Sequence, residues 1–580
     1  MTIGENADKI VWTIYNEREE CSLSMTGADI AVAALEANGV KTVFGYPGAA
    51  NAPLIESISH SSIDYILSRN EQGAAHMASG YARVKRTAGV CTATSGPGAT
   101  NLITAIATAY MDSIPVIALT GQVKTGLIGK DAFQEVDIIG STLPFVKHSY
   151  LVKDIRDISR VINEAFHIAT TGRPGPVLID FPVDVLKAKY EGGSDDEINL
   201  RGYKLQGRAN ESQIKKVADA LKKAKKPVLL AGGGITCSGA VNEINDFVNR
   251  TGIPVISTMM GLGVIPTDDE RFYGMIGSHG TKRANTILNR SDLVLAMGTR
   301  LGDRSVANAA GLENANKLIH IDIDPAEIGK NMQPYIPVVG DIKDVVSQLL
   351  PMLEQWHTPY EWKHEIDELR FVMKPRNNSE DNGFVNPKYF LERLSQITNS
   401  DVYLTTEVGQ NQIWCANHFT IKHPEMFITS GGFGTMGYGL PAAIGASEAQ
   451  SEKPVIAVMG DGSFQMDLPE LGTMLQYNIP VKMVLFKNDR LGMVHEHQYL
   501  FYGSNYQMVD ITNGSPDFAK LAEAYGIRSN TISENSQVDD AVKAMLADKE
   551  SYMLIVNVSP FEPTGDALNE DKMKNVGKEA

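Results

Sequence analysis

Five times along this chain a short run of apolar, largely β-branched residues ends in a glycine turn and gives way to a helical pattern. VKTVFGYPGAA, AGVCTATSGPGATN, PVLLAGGGITCSGA, DLVLAMGTRLGD and PVIAVMGDGSF all take this form. Strands that are apolar throughout, rather than alternating, have both faces covered, as in a parallel sheet clothed by crossover helices. The fold class is therefore α/β, built from doubly wound parallel sheets. A chain of 580 residues at roughly 150 per domain holds three or four such units. Two polar stretches, 187–207 and 354–384, read as domain connections, the second with a helical portion. They set domains at 25–186, 208–350 and 385–560, and the polar end, 561–580, reads as a tail or lid.

Composition narrows the function. The hydrophobic share is 43% and the charged share 21%, which suits a large buried core and excludes disorder. The formal net charge of −16 makes nucleic acid and anionic membrane poor partners. Cys21, Cys91, Cys237 and Cys415 lie far apart without a CxxC pair, which argues against a structural zinc site and against secretion. No apolar run approaches the ~20 residues of a membrane span, and the opening MTIGENADKIVWTIYNEREE lacks the features of a signal or transit peptide. The expected setting is cytoplasmic.

The densest chemistry follows the strand PVIAVM. Gly460-Asp461-Gly462-Ser463 comes first, then the helical segment LPELGTMLQYN, then the strand VKMVLF ending at Lys487-Asn488-Asp489. One βαβ unit with a right-handed crossover puts Asp461 and Asn488 at the carboxyl ends of neighbouring or near-neighbouring strands. Ligands bind at that edge in open α/β sheets. A carboxylate and an amide oxygen make an incomplete shell for Mg²⁺, which takes its remaining ligands from phosphate and water. Taken singly, either residue is also a common helix cap or turn residue. Near the N-terminus, the strand IDYILS leads into Asn70-Glu71-Gln72-Gly73-Ala74-Ala75-His76, where Asn70 suits an N-cap and Glu71 the first helical turn.

GDGS with an asparagine 27 residues beyond its aspartate resembles the thiamin-diphosphate motif. Where that motif ends in two asparagines this chain has Lys487 and Asn488, so Asn488 alone carries over, and the third protein ligand of the metal corresponds to the carbonyl of Arg490. EQGAAH resembles the segment whose glutamate, here Glu71, exchanges a proton with the aminopyrimidine N1′ of the cofactor. From about 25 to 560 the chain is similar to acetohydroxyacid (acetolactate) synthase catalytic subunits. The likeness rests on FGYPGAA, EQGAAHMASGYAR, TSGPGATNLITAIATAYMDSIPVIALTGQV, IGKDAFQEVDIIG, TGRPGPVLIDFPVDV, HIDIDPAEIGKN, SGGFGTMGYGLPAAIGA and RLGMVHEHQYLFY.

The resemblance implies a pyrimidine-binding domain, a central FAD-binding domain and a pyrophosphate- and metal-binding domain, in that order. It implies decarboxylation of pyruvate and transfer of the hydroxyethyl group to a second 2-keto acid, giving acetolactate or acetohydroxybutyrate for branched-chain amino acids. Its cofactors would be thiamin diphosphate, Mg²⁺ and FAD. Its assembly would be a homodimer or homotetramer with a small regulatory subunit. Val408, Gly409, Gln410, Gly434, Met436, Gly460, Gly462, Ser463 and Met493 would contact thiamin diphosphate, and Asp461, Asn488 and Arg490 the metal. Arg173, Gly232, Gly233, His279, Gly280, Gly298, Arg300, Asp322 and Asp341 would contact FAD. Phe133, Gln134, Arg304 and His497 would meet substrate, with the Arg304 guanidinium on the acceptor carboxylate. Alone, the glycines after Ala231 do not complete G-x-G-x-x-G, because Cys237 occupies the third glycine slot. Three departures stand out: Gly302 where the family has RFDDR, Lys124 in place of proline, and His497 in place of tryptophan. A pyruvate oxidase, or another 2-keto acid decarboxylase or carboligase of the same architecture, is the alternative.

Overall fold

A computed structural model describes residues 24–192, 197–198, 200–205, 207–306, 317–372, 383–503 and 505–565. It contains three six-stranded sheets, each wholly parallel. The apolar runs form these strands because both of their faces are buried, as in Leu229, Leu230 and Ala231 or Val455–Met459.

The first sheet comprises β1 (Thr42–Gly45), β2 (Asp64–Leu67), β3 (Gly89–Ala93), β4 (Val116–Gln122), β5 (His148–Leu151) and β6 (Val177–Pro182), in spatial order β2-β1-β3-β4-β6-β5. The central sheet comprises β7 (Pro227–Ala231), β8 (Val255–Ser257), β9 (Phe272–Met275), β10 (Leu293–Met297), β11 (Lys317–Asp322) and β12 (Ile336–Val339), in order β9-β8-β7-β10-β11-β12. The third comprises β13 (Tyr403–Thr406), β14 (Phe427–Ile428), β15 (Val455–Gly460), β16 (Lys482–Lys487), β17 (Arg528–Ile532) and β18 (Tyr552–Asn557), in order β14-β13-β15-β16-β18-β17. The first and third sheets thus share one winding. The central sheet has the 3-2-1-4-5-6 order of dinucleotide-binding folds. Each strand order reverses direction near its middle, between β1 and β3, β7 and β10, and β13 and β15, and the first and third sheets reverse again at their far edge. Such a reversal opens a crevice at the carboxyl edge.

The chain falls into two compact units. One runs to Tyr203 and includes Pro469–Tyr477; the other is Lys204–Leu468 with everything from Asn478 onward. Within the second unit one apolar core joins the central and third sheets, from Phe247 and Val255 to Trp414 and Phe486. The helix Tyr360–Val372, inside the stretch read as a connection, packs on the central sheet through Trp362 and Ile366. Its Trp362 indole donates to the Pro227 carbonyl at 3.0 Å. The polar end also differs from the expected tail at its start. Gln410 Nε2 donates to the Glu562 carbonyl (2.9 Å), Trp414 Nε1 to the Pro563 carbonyl (3.0 Å), and Thr564 Oγ1 to Glu496 (2.9 Å). Residues 566–580 of that tail lie outside the described residues. Among the described residues no helix is long and apolar enough to cross a membrane.

Candidate active site

The third sheet's reversal brings two of the motifs together. β13 ends at Thr406 and runs into Glu407-Val408-Gly409-Gln410, while its neighbour β15 ends at Gly460 and runs into Asp461. β15 pairs directly with β16, so Asn488 begins the next turn along the same edge. Asp461 is buried, and its Oδ2 accepts the N–H groups of Asn488 (3.1 Å) and Asp489 (2.6 Å), which leaves Oδ1 for another partner. Burial pushes its carboxyl up to about 6 against those two hydrogen bonds. The turn is tight: Asp489 is left-handed (φ 55°), and Asn488 Oδ1 accepts the Arg490 N–H at 3.1 Å. The Arg490 guanidinium pairs with Asp510. Asn488 Nδ2 donates to Gln410 Oε1 at 3.2 Å, linking the turns after β13 and β16.

The crevice between these turns is lined by glycine and left open. Among the described residues, a β-carbon at Gly434 (φ 70°) would meet nothing nearer than Val408 at 3.9 Å, one at Gly409 (φ 148°) would meet Asn411 Nδ2 at 3.3 Å, and one at Gly460 would meet Asn411 Nδ2 at 3.1 Å and Ser463 Oγ at 3.5 Å. The buried Oδ1 of Asn411 has no hydrogen-bond partner among the described residues. Val408 and Met436 are half-buried beside the opening; Ser463 is buried and donates to the Gly460 carbonyl at 3.2 Å. Gly462 and Met493 are half-buried, Met493 on the helix Gly492–Phe501. Further along that helix His497 is exposed, its ring 4.8 Å from that of Phe501 and 5.7 Å from that of Tyr502.

In the first unit Glu71 is the first residue of the helix Glu71–Lys85, and Asn70 caps that helix by accepting the Gln72 N–H at 2.8 Å. Glu71 Oε2 accepts from Asn101 Nδ2 at 2.9 Å, which turns the carboxylate towards the loop after β3. Phe133 is 88% exposed. Gln134 is left-handed (φ 58°), with its backbone packed against Gly96. Arg173 donates to Ser113 Oγ at 2.9 Å and lies over the Tyr110 ring.

The remaining eight residues expected at FAD lie in the second unit along the carboxyl edge of the central sheet. Gly232 and Gly233 follow β7, and Gly298 (φ 60°) follows β10, on either side of the reversal. A β-carbon at Gly232 would stand 2.2 Å from the Gly298 carbonyl, so only glycine permits this approach. Arg300 is half-buried, Gly280 is buried, and Asp322 ends β11 with its Oδ1 accepting the Asp324 N–H at 3.0 Å. Burial lowers the basicity of His279, whose Nδ1 is 3.4 Å from Thr564 Oγ1. Asp341 caps the helix Ile342–Leu349. Arg304 is exposed, 3.7 Å from the Asp303 carboxylate.

The chain is similar to known proteins along most of its length. Residues 25–141 match the thiamine pyrophosphate enzyme N-terminal TPP binding domain, 214–349 its central domain and 407–556 its C-terminal TPP binding domain. The chain is 44% identical to the probable acetolactate synthase large subunit of Methanocaldococcus jannaschii over 93% of each chain. It is 42% identical to the acetolactate synthase isozyme 2 large subunit of Escherichia coli, over 94% of this chain and 99% of that one. The chain belongs to the thiamine pyrophosphate-dependent acetolactate synthase family. Thiamine pyrophosphate is the thiamin diphosphate of the motif above.

Among the described residues no three His, Cys, Asp or Glu side chains are grouped to hold a metal ion. The third sheet instead offers one buried carboxylate and one amide at an open crevice, a set that fits a divalent cation whose other ligands come from a diphosphate. Three buried glutamates were not singled out by the sequence: Glu407 and Glu496 in the second unit and Glu470 in the first. Glu407 is fully buried and accepts the N–H groups of Gly437 (2.8 Å) and Gly439 (2.7 Å), which fixes the loop carrying Gly434 and Met436. Burial pushes its carboxyl up to about 7. Glu496 accepts from Gln410 Nε2 at 3.1 Å and from Thr564. Glu470 lies in the first unit, beside the start of the Glu71 helix. The only sequence signal for any of them is an acid directly after an apolar run, as in YLTTEVG.

Proposed function

We propose that this chain is the catalytic subunit of an acetolactate synthase, joining two 2-keto acids with loss of carbon dioxide from the first, which is pyruvate. When bound, thiamin diphosphate supplies the electron sink that makes this decarboxylation and carbon–carbon bond formation accessible. Asp461, Asn488 and the Arg490 carbonyl hold Mg²⁺, and Gly460, Gly462 and Ser463 leave room for the diphosphate. Val408, Gly409, Gln410, Gly434, Met436 and Met493 bound the rest of the cofactor. Glu71 gives a proton to, and takes it from, the pyrimidine N1′. Because His497 is exposed and small beside an indole, the acceptor is pyruvate at least as readily as 2-ketobutyrate. The observation that carries this reading is the open glycine crevice with Asp461 and Asn488 on paired strands.

FAD fits the central sheet's edge, where the glycines after β7 and β10 approach too closely for any side chain, in the strand order of dinucleotide folds. Phe133, Gln134 and Arg304 meet substrate, the Arg304 guanidinium on the acceptor carboxylate. The least active assembly is a homodimer, favoured by exposed Phe133, Phe501, Tyr502 and Met508, and a small regulatory subunit joins it in the cytoplasm. The test is incubation of purified protein with pyruvate, thiamin diphosphate, Mg²⁺ and FAD, followed by product identification. Acetolactate is expected. Acetate or acetyl phosphate with bleached flavin would move the chain to pyruvate oxidase, and acetaldehyde to a simple decarboxylase.

A further inference from the structure

Pro469–Tyr477 belongs to the first unit although its sequence neighbours belong to the third sheet. Its single acid, Glu470, is 0% exposed. Glu470 Oε1 accepts the N–H groups of Arg69 and Asn70, both at 3.0 Å. Oε2 accepts the Arg69 N–H at 3.1 Å and Thr473 Oγ1 at 2.6 Å. The same segment grips the residues on either side. Leu67 N–H donates to the Tyr477 hydroxyl (3.0 Å), Thr473 Oγ1 lies 3.2 Å from the Leu67 carbonyl, and Arg69 Nη2 donates to Gln476 Oε1 (2.8 Å). Thus the hinge between the end of β2 and the first residue of the Glu71 helix is held from one side by this segment.

The site is shaped for a carboxylate. A β-carbon at Gly73 would stand 2.3 Å from Glu470 Oε1, so helix residue 73 has room only for hydrogen. Burying a carboxylate is costly unless it is hydrogen-bonded, and these bonds, at the positive end of a fifteen-residue helix, supply that compensation. Docking a segment needs no buried charge. Two adjacent backbone N–H groups converging on one carboxylate do fix the direction of the peptide from which Glu71 projects.

We infer that Glu470 is a positioning residue for Glu71, setting the angle at which the Glu71 carboxylate leaves the helix start. This rests on the reading of Glu71 as the group that exchanges a proton with the cofactor. Two variants disturb the contact from opposite sides: Glu470→Gln puts an amide donor among backbone donors, and Gly73→Ala pushes the carboxylate away without changing any charge.

The first measurement uses the apoprotein. Amide hydrogen exchange over residues 67–72 should rise about tenfold in both variants, while peptides around Asp461 keep wild-type protection. The second uses protein loaded with thiamin diphosphate and Mg²⁺, and follows deuterium exchange of the cofactor's C2 proton by NMR. Both variants should slow this exchange about tenfold or more, with cofactor affinity within about threefold of wild type, and Glu71→Gln combined with Glu470→Gln should be no slower than Glu71→Gln alone. Loosened amides with normal C2 exchange, or losses that add in the double variant, would reduce Glu470 to a docking contact. Unchanged amides would overturn the inference outright. Normal exchange in Glu71→Gln itself would instead overturn the role of Glu71. If Glu470→Gln does not fold, Gly73→Ala decides the question.

Discussion

The first and third sheets are wound alike and used differently. In both, the reversal of strand order opens a crevice between the turns after the first and third strands. In the first sheet that crevice is filled. A β-carbon at Gly48 would meet the Thr94 side chain at 2.5 Å, Thr94 Oγ1 takes the Ala50 N–H at 3.2 Å, and Asn51 reaches Thr92. In the third sheet the turns after β13 and β15 hold Gly409 and Gly460, where a β-carbon would come no nearer than 3.1 Å to a neighbour, Gly434 follows the edge strand β14 with space beside it, and the buried Asp461 stands at the rim. Glycine allows the backbone to pack tightly in one copy and leaves room for a ligand in the other. The acid of the first sheet, Glu71, accordingly follows the outer strand β2 and not the filled crevice. On the proposed function, one topology therefore serves as a cofactor bed in one copy and a platform for a single carboxylate in the other.

That division predicts that the two acids fail in different ways. Glu71→Gln should lower kcat by roughly 10²–10⁴, the usual range for a lost proton-transfer group, while cofactor affinity and Tm stay near wild type. Asp461→Ala should weaken thiamin diphosphate binding in the presence of Mg²⁺ by roughly 100-fold or more, since neutral oxygens alone hold a hard cation poorly. Calorimetric titration with steady-state kinetics separates the two. Matching defects in both variants would erase the distinction between platform and bed.

Much of this was legible in the sequence, for physical reasons. Runs such as PVLLA and PVIAVM are apolar on both faces, and only a covered parallel sheet accepts that. GDGS and Asn488 were readable because one strand–helix–strand passage fixes both ends locally. The strand order common to two sheets was not, because pairing partners leave no mark on a short apolar run. Nor did the pattern LPELGTMLQYN show that the segment belongs to the first unit, or that Glu470 would meet Asn70 across 400 positions of sequence. The burial of Glu407 was hidden for a similar reason. An acid after a strand is normally a solvated turn residue, and here the N–H groups of Gly437 and Gly439 arrive from another loop to donate to it.

Glu407 also gives the open crevice a pH signature. Its carboxyl is raised by burial from an ordinary 4.5 to about 7, so the folded state holds the proton more tightly than the unfolded chain. Its contribution is full below pH 4.5 and is lost as pH rises through 7, a change of roughly 3 kcal/mol at most. Asp467, buried beside Gly437, is the other acid of that neighbourhood. In the apoprotein, Glu407→Gln should gain Tm relative to wild type from pH 5 to about pH 7 and level off above that. A constant offset would mean that the backbone N–H groups keep Glu407 ionised throughout.

A matched pair of methyl groups probes filled against open directly. Gly48→Ala should destabilise the apoprotein by about 1–3 kcal/mol through overpacking on Thr94, with little effect on cofactor affinity at temperatures where it is folded. Gly434→Ala carries only the strain of a left-handed alanine, about 1 kcal/mol, yet it places a methyl in the ligand space. It should weaken thiamin diphosphate binding by roughly tenfold, the effect of about 1.4 kcal/mol. Urea melts and titrations of both proteins check this, and reversed outcomes would mean that the two crevices had been assigned the wrong way round.

The smallest effect concerns the acceptor. His497 is exposed on the helix Gly492–Phe501 with the rings of Phe501 and Tyr502 beside it, where the resemblance expects an indole. One methylene in an apolar pocket is worth only about 1–3 kcal/mol, and an imidazole covers less of it than an indole and stays wetter. The native protein should therefore show little preference for 2-ketobutyrate over pyruvate. His497→Trp should raise that preference by up to about tenfold, because the larger ring adds apolar wall without touching Asp461, Asn488 or the glycine crevice. Competing the two acids at fixed concentrations and taking the ratio of acetohydroxybutyrate to acetolactate measures the change. A strong native preference, or a ratio unmoved by tryptophan, would locate the selecting wall away from this helix. In that case the exposed Phe133 is the next side chain to replace.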